Sequence, residues 1–247
     1  MVAKIQIRSL KKIYETPERQ VHALEDINLE IQDGEFVCLV GLSGCGKTTL
    51  LNILSGFVEI TSGDVWMDNK PITDTYDRGV VFQEYALFPW RTALKNVEYG
   101  LQIRKIPAVQ REKIAREFLR LVRLEQFADF FPHNLSGGMR QRVAVARALA
   151  FDPQVLLMDE PFGALDAQTR EELQELTVDI WRKTKKTVLY VTHNLSEAVY
   201  LGDRIVVLIA NPGRIRTIVN VNLSRPRDAL SPEFIAIQRH INELVRD

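Results

Sequence analysis

A chain of 247 residues carries 32 Lys+Arg against 32 Asp+Glu, a formal net charge of zero, and 46% of it is hydrophobic. That suffices for one large domain, or a domain with a subdomain, around an ordinary core, while the charge balance argues against nucleic-acid binding, which usually needs a basic face. Cys38 and Cys45 suggest no disulfide staple and a reducing compartment. With no apolar run near the roughly 18 residues of a membrane span, and no signal-peptide core at the start, the sequence predicts neither a span nor export.

The first elements are predicted to be β-rich. Ile5-Gln6-Ile7 alternates, residues 27–31 alternate again, and Asp33-Gly34-Glu35 turns into the continuous apolar run Phe36-Val37-Cys38-Leu39-Val40. Residues 49–54 then favour helix, residues 61–64 turn, Val65-Trp66-Met67 reads as strand, and a second buried run, residues 79–82, ends at Gln83. From about residue 84 to 150 strand signal nearly vanishes. Ile114, Phe118, Leu121 and Val122 mark one helical face over residues 109–124, and this stretch is predicted to be a helical insertion. Strand character returns at residues 155–158, 187–191 and 205–209 as continuous runs, the pattern of a buried parallel sheet. Ser231-Pro232-Glu233 reads as an N-cap with proline at the first helical position, followed by Phe234, Ile237, Ile241 and Leu244 at helical spacing.

Four short segments carry chemistry. Residues 41–48 read Gly41-Leu42-Ser43-Gly44-Cys45-Gly46-Lys47-Thr48, a G-x-x-x-x-G-K-[ST] loop between a predicted strand and the helix opening at Thr49. Its glycines let successive N–H groups point at phosphate oxygens. The helix start adds partial positive charge, Lys47 reaches the β/γ-phosphates, and the Thr48 hydroxyl suits Mg²⁺. Cys45 sits among groups that favour thiolate, so it is expected to be reactive and protected by nucleotide. Asp159-Glu160 follows the apolar run 155–158, which carries both acids to a strand's C-terminal end; Asp159 would hold Mg²⁺ through water and Glu160 would orient or deprotonate an attacking water. Leu135-Ser136-Gly137-Gly138-Met139 opens a helix with a serine cap and two bare amides, a second anion site. His193 follows the strand-like 188–192, whereas His22, His133 and His240 read as structural.

Taken in chain order, the motifs closely resemble those of ABC-type ATPases, from Tyr14 to about Asp203. The resemblance implies a P-loop NTPase of α/β class: a core with a mostly parallel sheet, an N-terminal antiparallel β subdomain and a helical insertion. It implies one domain over residues 1–247, with the core and β subdomain in about 1–83 and 151–210, the signature subdomain in about 84–150, and a C-terminal strand and helix in about 211–247. It places adenine stacking on Tyr14, ATP phosphates on residues 41–49, and Mg²⁺ on Thr48, Gln83 and Asp159. Catalytic roles fall on Glu160, His193 and Gln83, and the D-loop on residues 163–166 with Asp166. Ser136, Gly137 and Gly138 form the signature; Met139 departs from the glutamine common there, leaving the phosphate-contacting residues intact.

The implied partners are a second ATPase subunit, identical or homologous, sharing two ATPs head to tail, and permease subunits docking near residues 83–90. There Phe88-Pro89-Trp90 reads equally as core or as a coupling-helix contact. A periplasmic or lipid-anchored solute-binding protein would act indirectly, and no nucleic acid is implied. The implied location is peripheral, on the cytoplasmic face of the inner membrane. The wording LFPW, LSGGMRQRV and MDEPFGALDAQTR resembles the nitrate/sulfonate/taurine importer group. ABC ATPases acting on DNA or ribosomes usually carry a long coiled coil or two nucleotide domains, and a P-loop kinase has no reason for a signature helix and a switch histidine.

Overall fold

The computed structural model describes residues 3–15, 17, 19–72 and 78–246. In chain order its strands and helices are β1 (Ile5–Glu15), β2 (Gln20–Ile31), β3 (Phe36–Val40), α1 (Lys47–Ser55), β4 (Ser62–Met67), β5 (Lys70–Pro71) and β6 (Arg78–Val81), then α2 (Ala93–Ile103), α3 (Ala108–Leu121), α4 (Gly137–Ala150), β7 (Val155–Asp159), α5 (Ala167–Thr184), β8 (Thr187–Val191), α6 (Leu195–Leu201), β9 (Arg204–Ile209), β10 (Arg214–Asn220) and α7 (Pro232–Arg246). They fall into two compact units, one of residues 1–75 with 186–247 and the other of residues 76–185.

The first unit contains two sheets. One is antiparallel, in the order β2-β1-β4-β5. In the other, β3 pairs parallel with β8 on one side and β9 on the other, and β10 closes the edge antiparallel to β9. All five residues of β3 and all five of β8 are buried, which explains why both segments read as unbroken apolar runs: each strand is covered on both faces. The two sheets are stitched where Glu25 N–H donates to the Gly213 carbonyl and Gly213 N–H to that of Ala23. The C-terminal helix starts as its sequence dictates, with the Ser231 hydroxyl accepting the Phe234 N–H and Phe234 and Ile241 fully buried.

In the second unit β6 and β7 pair parallel, with Val81 opposite Met158. Helices α2, α3 and α4 pack together beyond them. The buried Asn96 side chain, on α2, ties down the preceding loop by accepting from Phe88 N–H and donating to the carbonyls of Phe88, Arg91 and Thr92. The antiparallel N-terminal sheet, the parallel pairing and the helical stretch before β7 are those the sequence predicts.

Candidate functional site: a nucleotide-hydrolysis centre

The first unit carries the phosphate loop at the C-terminal end of β3. Gly46 caps α1 with φ near +95°, a left-handed conformation that favours glycine, and a Cβ there would also lie 2.5 Å from the Leu24 side chain. From behind, the loop rests on Gly213, where a Cβ would meet the carbonyl oxygens of Cys45 and Ala23 at 2.5 Å. The Lys47 ammonium, 7% exposed as a residue, bridges the loop by donating to the carbonyls of Gly41 at 2.9 Å and Leu42 at 3.1 Å. Leu42, Ser43, Gly44 and Thr48 are exposed. Among the described residues, the remaining donor capacity of Lys47 meets the Cys45 sulfur, at 3.8 Å, a weak partner that a phosphate oxygen would outcompete. A glycine cradle with an immobilised ammonium and a hydroxyl at the helix start fits a polyphosphate and its magnesium ion.

Because β3 and β8 are parallel neighbours, with Leu39 opposite Val191, the turn bearing His193 leaves the sheet at the same edge as the phosphate loop. The His193 residue is exposed, whereas Thr192 before it is buried. Tyr14, half-buried near the end of β1, carries the Lys12 ammonium 4.8 Å from its ring centroid.

Cys45 departs from expectation. It is fully buried, and burial pushes its thiol above the ordinary range, only partly opposed by the Lys47 charge. Its side chain packs inward between Gly41 and Lys47, and its own N–H turns to the Leu42 carbonyl. Proximity to a cation and a helix start does not favour thiolate when the sulfur is shut away from water.

The second unit carries the two acids and the serine–glycine helix start. Parallel β6 and β7 lead to Gln83 and Glu160 at one sheet edge. The Gln83 amide nitrogen and a Glu160 carboxylate oxygen both border Gly163, 3.4 and 3.8 Å from where its Cβ would stand. Glu160 has φ near +43°, a conformation uncommon for a side-chain-bearing residue and one that turns the chain sharply after Asp159. Ser136 caps α4, its Oγ accepting the Met139 N–H at 3.2 Å, a bond that leaves the hydroxyl hydrogen uncommitted. A Cβ on Gly137 would lie 3.1 Å from the Tyr85 hydroxyl and 3.4 Å from Leu165. The signature start therefore lies against both the loop beyond Gln83 and the loop before Asp166. Asp166 caps α5 by accepting the Thr169 N–H at 3.0 Å, and this bond holds its carboxyl below the usual range.

Three contributors escape sequence reasoning. Arg147, on α4, donates to the carbonyls of Tyr85 and Ala86, both left-handed residues just past Gln83; nothing in its helical context signals this. Gly213 shows its role only through the loop packed on it. Glu197 was legible as the end of an N-x-x-E helix start, Asn194-Leu195-Ser196-Glu197, but not as a buried group.

Glycine cradle, strand-end acids and a histidine at a sheet edge define a P-loop nucleoside triphosphatase. Comparison with known proteins carries the assignment further. The family described as ABC transporter matches residues 24–163. An uncharacterized ABC transporter ATP-binding protein of Methanocaldococcus jannaschii is 52% identical over 248 aligned residues, covering 100% of this chain and 93% of that protein. A nitrate import ATP-binding protein of Synechocystis sp. is 42% identical over 252, covering 98% and 95%. Among solved structures, an ATP-binding cassette in a dimeric post-hydrolysis state bound to ADP and Pi superposes with a TM-score of 0.80 at 37% identity, covering 89% of this chain and 100% of that one. The chain belongs to the ABC transporter ATP-binding family. It is an ATPase, with ATP as its nucleotide and Mg²⁺ as the accompanying ion.

Proposed function

We propose that this ATPase is the energy-supplying subunit of an importer for small anions of the nitrate, sulfonate or taurine kind, peripheral to the cytoplasmic face of the membrane. Two copies, or this copy and a homologue, would sandwich two MgATP head to tail, each signature start facing the nucleotide of the opposite phosphate loop. The observation that carries the importer reading is the 42% identity, over nearly the whole of both chains, to a nitrate import ATP-binding protein. No helix among the described residues is long and apolar enough to cross a membrane, so the solute path would belong to separate permease subunits.

Within this reading, residues 41–49 bind the phosphates and Tyr14 the adenine. Oxygen donors of Thr48, Asp159 and Gln83 suit Mg²⁺, which prefers hard ligands and keeps several waters. Glu160 takes the proton of the attacking water, His193 and Gln83 contact the γ-phosphate and that water, and Ser136, Gly137, Gly138 and Asp166 act across the dimer. Bound Mg²⁺ would neutralise charge on the β- and γ-oxygens. Residues 84–150 form the signature subdomain of a single ATPase domain, and the permease docks near residues 83–90. That docking is supported by Trp90, 71% exposed against Phe88 (ring centroids 5.6 Å apart), with Arg91 over the Phe88 and Tyr99 rings.

The test is reconstitution with permease subunits in proteoliposomes. Hydrolysis should rise when a binding protein loaded with nitrate, taurine or an alkyl sulfonate is added, and not with the unloaded protein. Hydrolysis indifferent to every loaded binding protein would overturn the importer assignment.

A further inference from the structure

Beyond the nucleotide-contacting groups, the first unit buries a carboxylate that its packing does not require. Glu197, on the first turn of α6, is 3% exposed. Two hydroxyls from β8 and the turn after it converge on the same carboxylate oxygen, Tyr190 O–H at 3.1 Å and Thr192 O–H at 2.8 Å. Leucine or methionine would fill such a position without the desolvation cost of a buried charge, so a retained carboxylate calls for a reason.

The local pattern also departs from the usual capping arrangement. In an N-x-x-E helix start the glutamate normally reaches back to the N-cap N–H. Here Asn194 N–H donates instead to the Thr192 hydroxyl oxygen at 2.9 Å, while the Asn194 side chain caps the helix by accepting the N–H groups of Ser196 at 3.0 Å and Glu197 at 3.2 Å. The result is a closed ring of hydrogen bonds from Thr192 to Glu197, back through the Glu197 N–H to Asn194, and from Asn194 to Thr192. His193 is the one residue between the two ends of that ring. Its exposed side chain projects from a backbone whose neighbours on both sides are pinned to the first turn of α6.

We infer that Glu197 is a positioning residue for His193: its buried carboxylate, through Thr192 and Asn194, fixes the turn that aims the imidazole. The inference rests on the reading of His193 as a γ-phosphate contact. Misplacing a reacting or contacting group by an ångström is enough to slow chemistry by about 10²-fold without weakening substrate binding. Removing the hub should therefore act on turnover and leave nucleotide affinity alone.

The experiment uses the full chain and four variants, Glu197→Ala, Thr192→Val, Thr192→Ser and His193→Ala, assayed for MgATP hydrolysis and for the imidazole Cε1–H resonances of its four histidines. Thr192→Val is nearly isosteric and leaves Glu197 in place, so it decides the matter should Glu197→Ala fail to fold. Thr192→Val, and folded Glu197→Ala, should lower kcat at least tenfold with KM for ATP within threefold. Thr192→Ser, which keeps the hydroxyl, should restore kcat to within threefold. The His193 resonance should shift or broaden in the impaired variants while those of His22, His133 and His240 stay put. Unchanged kcat in Thr192→Val, a loss carried by KM, or an unmoved His193 resonance would each overturn the positioning role. Full turnover in His193→Ala would instead overturn the γ-phosphate reading, whatever the resonances do, so the two failures are distinguishable.

Discussion

Arg227 offers the sharpest energetic test of how α6 is held. Its guanidinium, on a residue 6% exposed, makes five hydrogen bonds to backbone carbonyls: Nε to Leu223, Nη1 to Val199, Tyr200 and Gly202, Nη2 to Val221, at 2.6 to 3.2 Å. Val199 and Tyr200 supply carbonyls of the last turn of α6, which a helix cannot satisfy internally. Arg227→Met keeps a long apolar stem and deletes every donor. A hydrogen bond to a charged group contributes about 1.5–3 kcal/mol, but five such values cannot be summed, because burying the guanidinium costs several kcal/mol in return. A buried carbonyl left without a donor costs about 1–3 kcal/mol, and with several stranded at once, offset by the relief of the buried charge, we expect a net loss of about 3–5 kcal/mol here. For a chain of this length each kcal/mol moves Tm by roughly 2–4 °C, so the variant should melt about 6–20 °C lower. Burial brings the Arg227 pKa down to about 10. For a base with a depressed folded pKa, the cost of keeping it charged is present at all lower pH and relieved only above that value. The loss should therefore be the same at about pH 6 and pH 8. Calorimetry or circular dichroism melts decide it, and a shift below about 2 °C would refute the reasoning, since water would then serve those carbonyls as well as the guanidinium does.

Three further outcomes are expected. Glu160→Gln should retain ATP binding while turnover falls by about 10² or more, and it should trap an ATP-dependent dimer that adding Ser136→Arg abolishes; light scattering after size exclusion, with and without ATP, reads both, and near-normal hydrolysis in Glu160→Gln removes the base assignment. Cys45 in the folded chain should be alkylated by iodoacetamide more slowly than in the urea-unfolded chain at about pH 8, because its thiol is buried and raised in pKa; equal rates by mass spectrometry would show that the loop opens freely. Gly213→Ala should weaken nucleotide binding by about tenfold or more in equilibrium titration, since its methyl would displace the Cys45 carbonyl under the phosphate loop, and unchanged affinity would mean that the loop yields without loss.

Much of this protein is written locally. Strands covered on both faces need continuous apolar residues, so β3, β7 and β8 were legible as runs, and the phosphate loop, the strand-end acids and the serine–glycine helix start are contiguous segments whose chemistry follows from residue order. Even the last helix announces its start through Ser231 and Pro232. What the sequence could not convey are properties created by burial and by contacts between distant segments. Cys45 looked activated because its neighbours in sequence are cationic and amide-rich; the fold turns its sulfur inward, and desolvation outweighs those neighbours. Arg147, Arg227 and Gly213 carry no local signal, and only the tertiary structure sets them against Tyr85, α6 and the phosphate loop. Glu197 drew no reading from the sequence, and only the packing of α6 beside β8 makes its carboxylate a buried hub. Residue order specifies which groups are present, whereas solvent exclusion and through-space partners, which arise only on folding, decide what those groups can do.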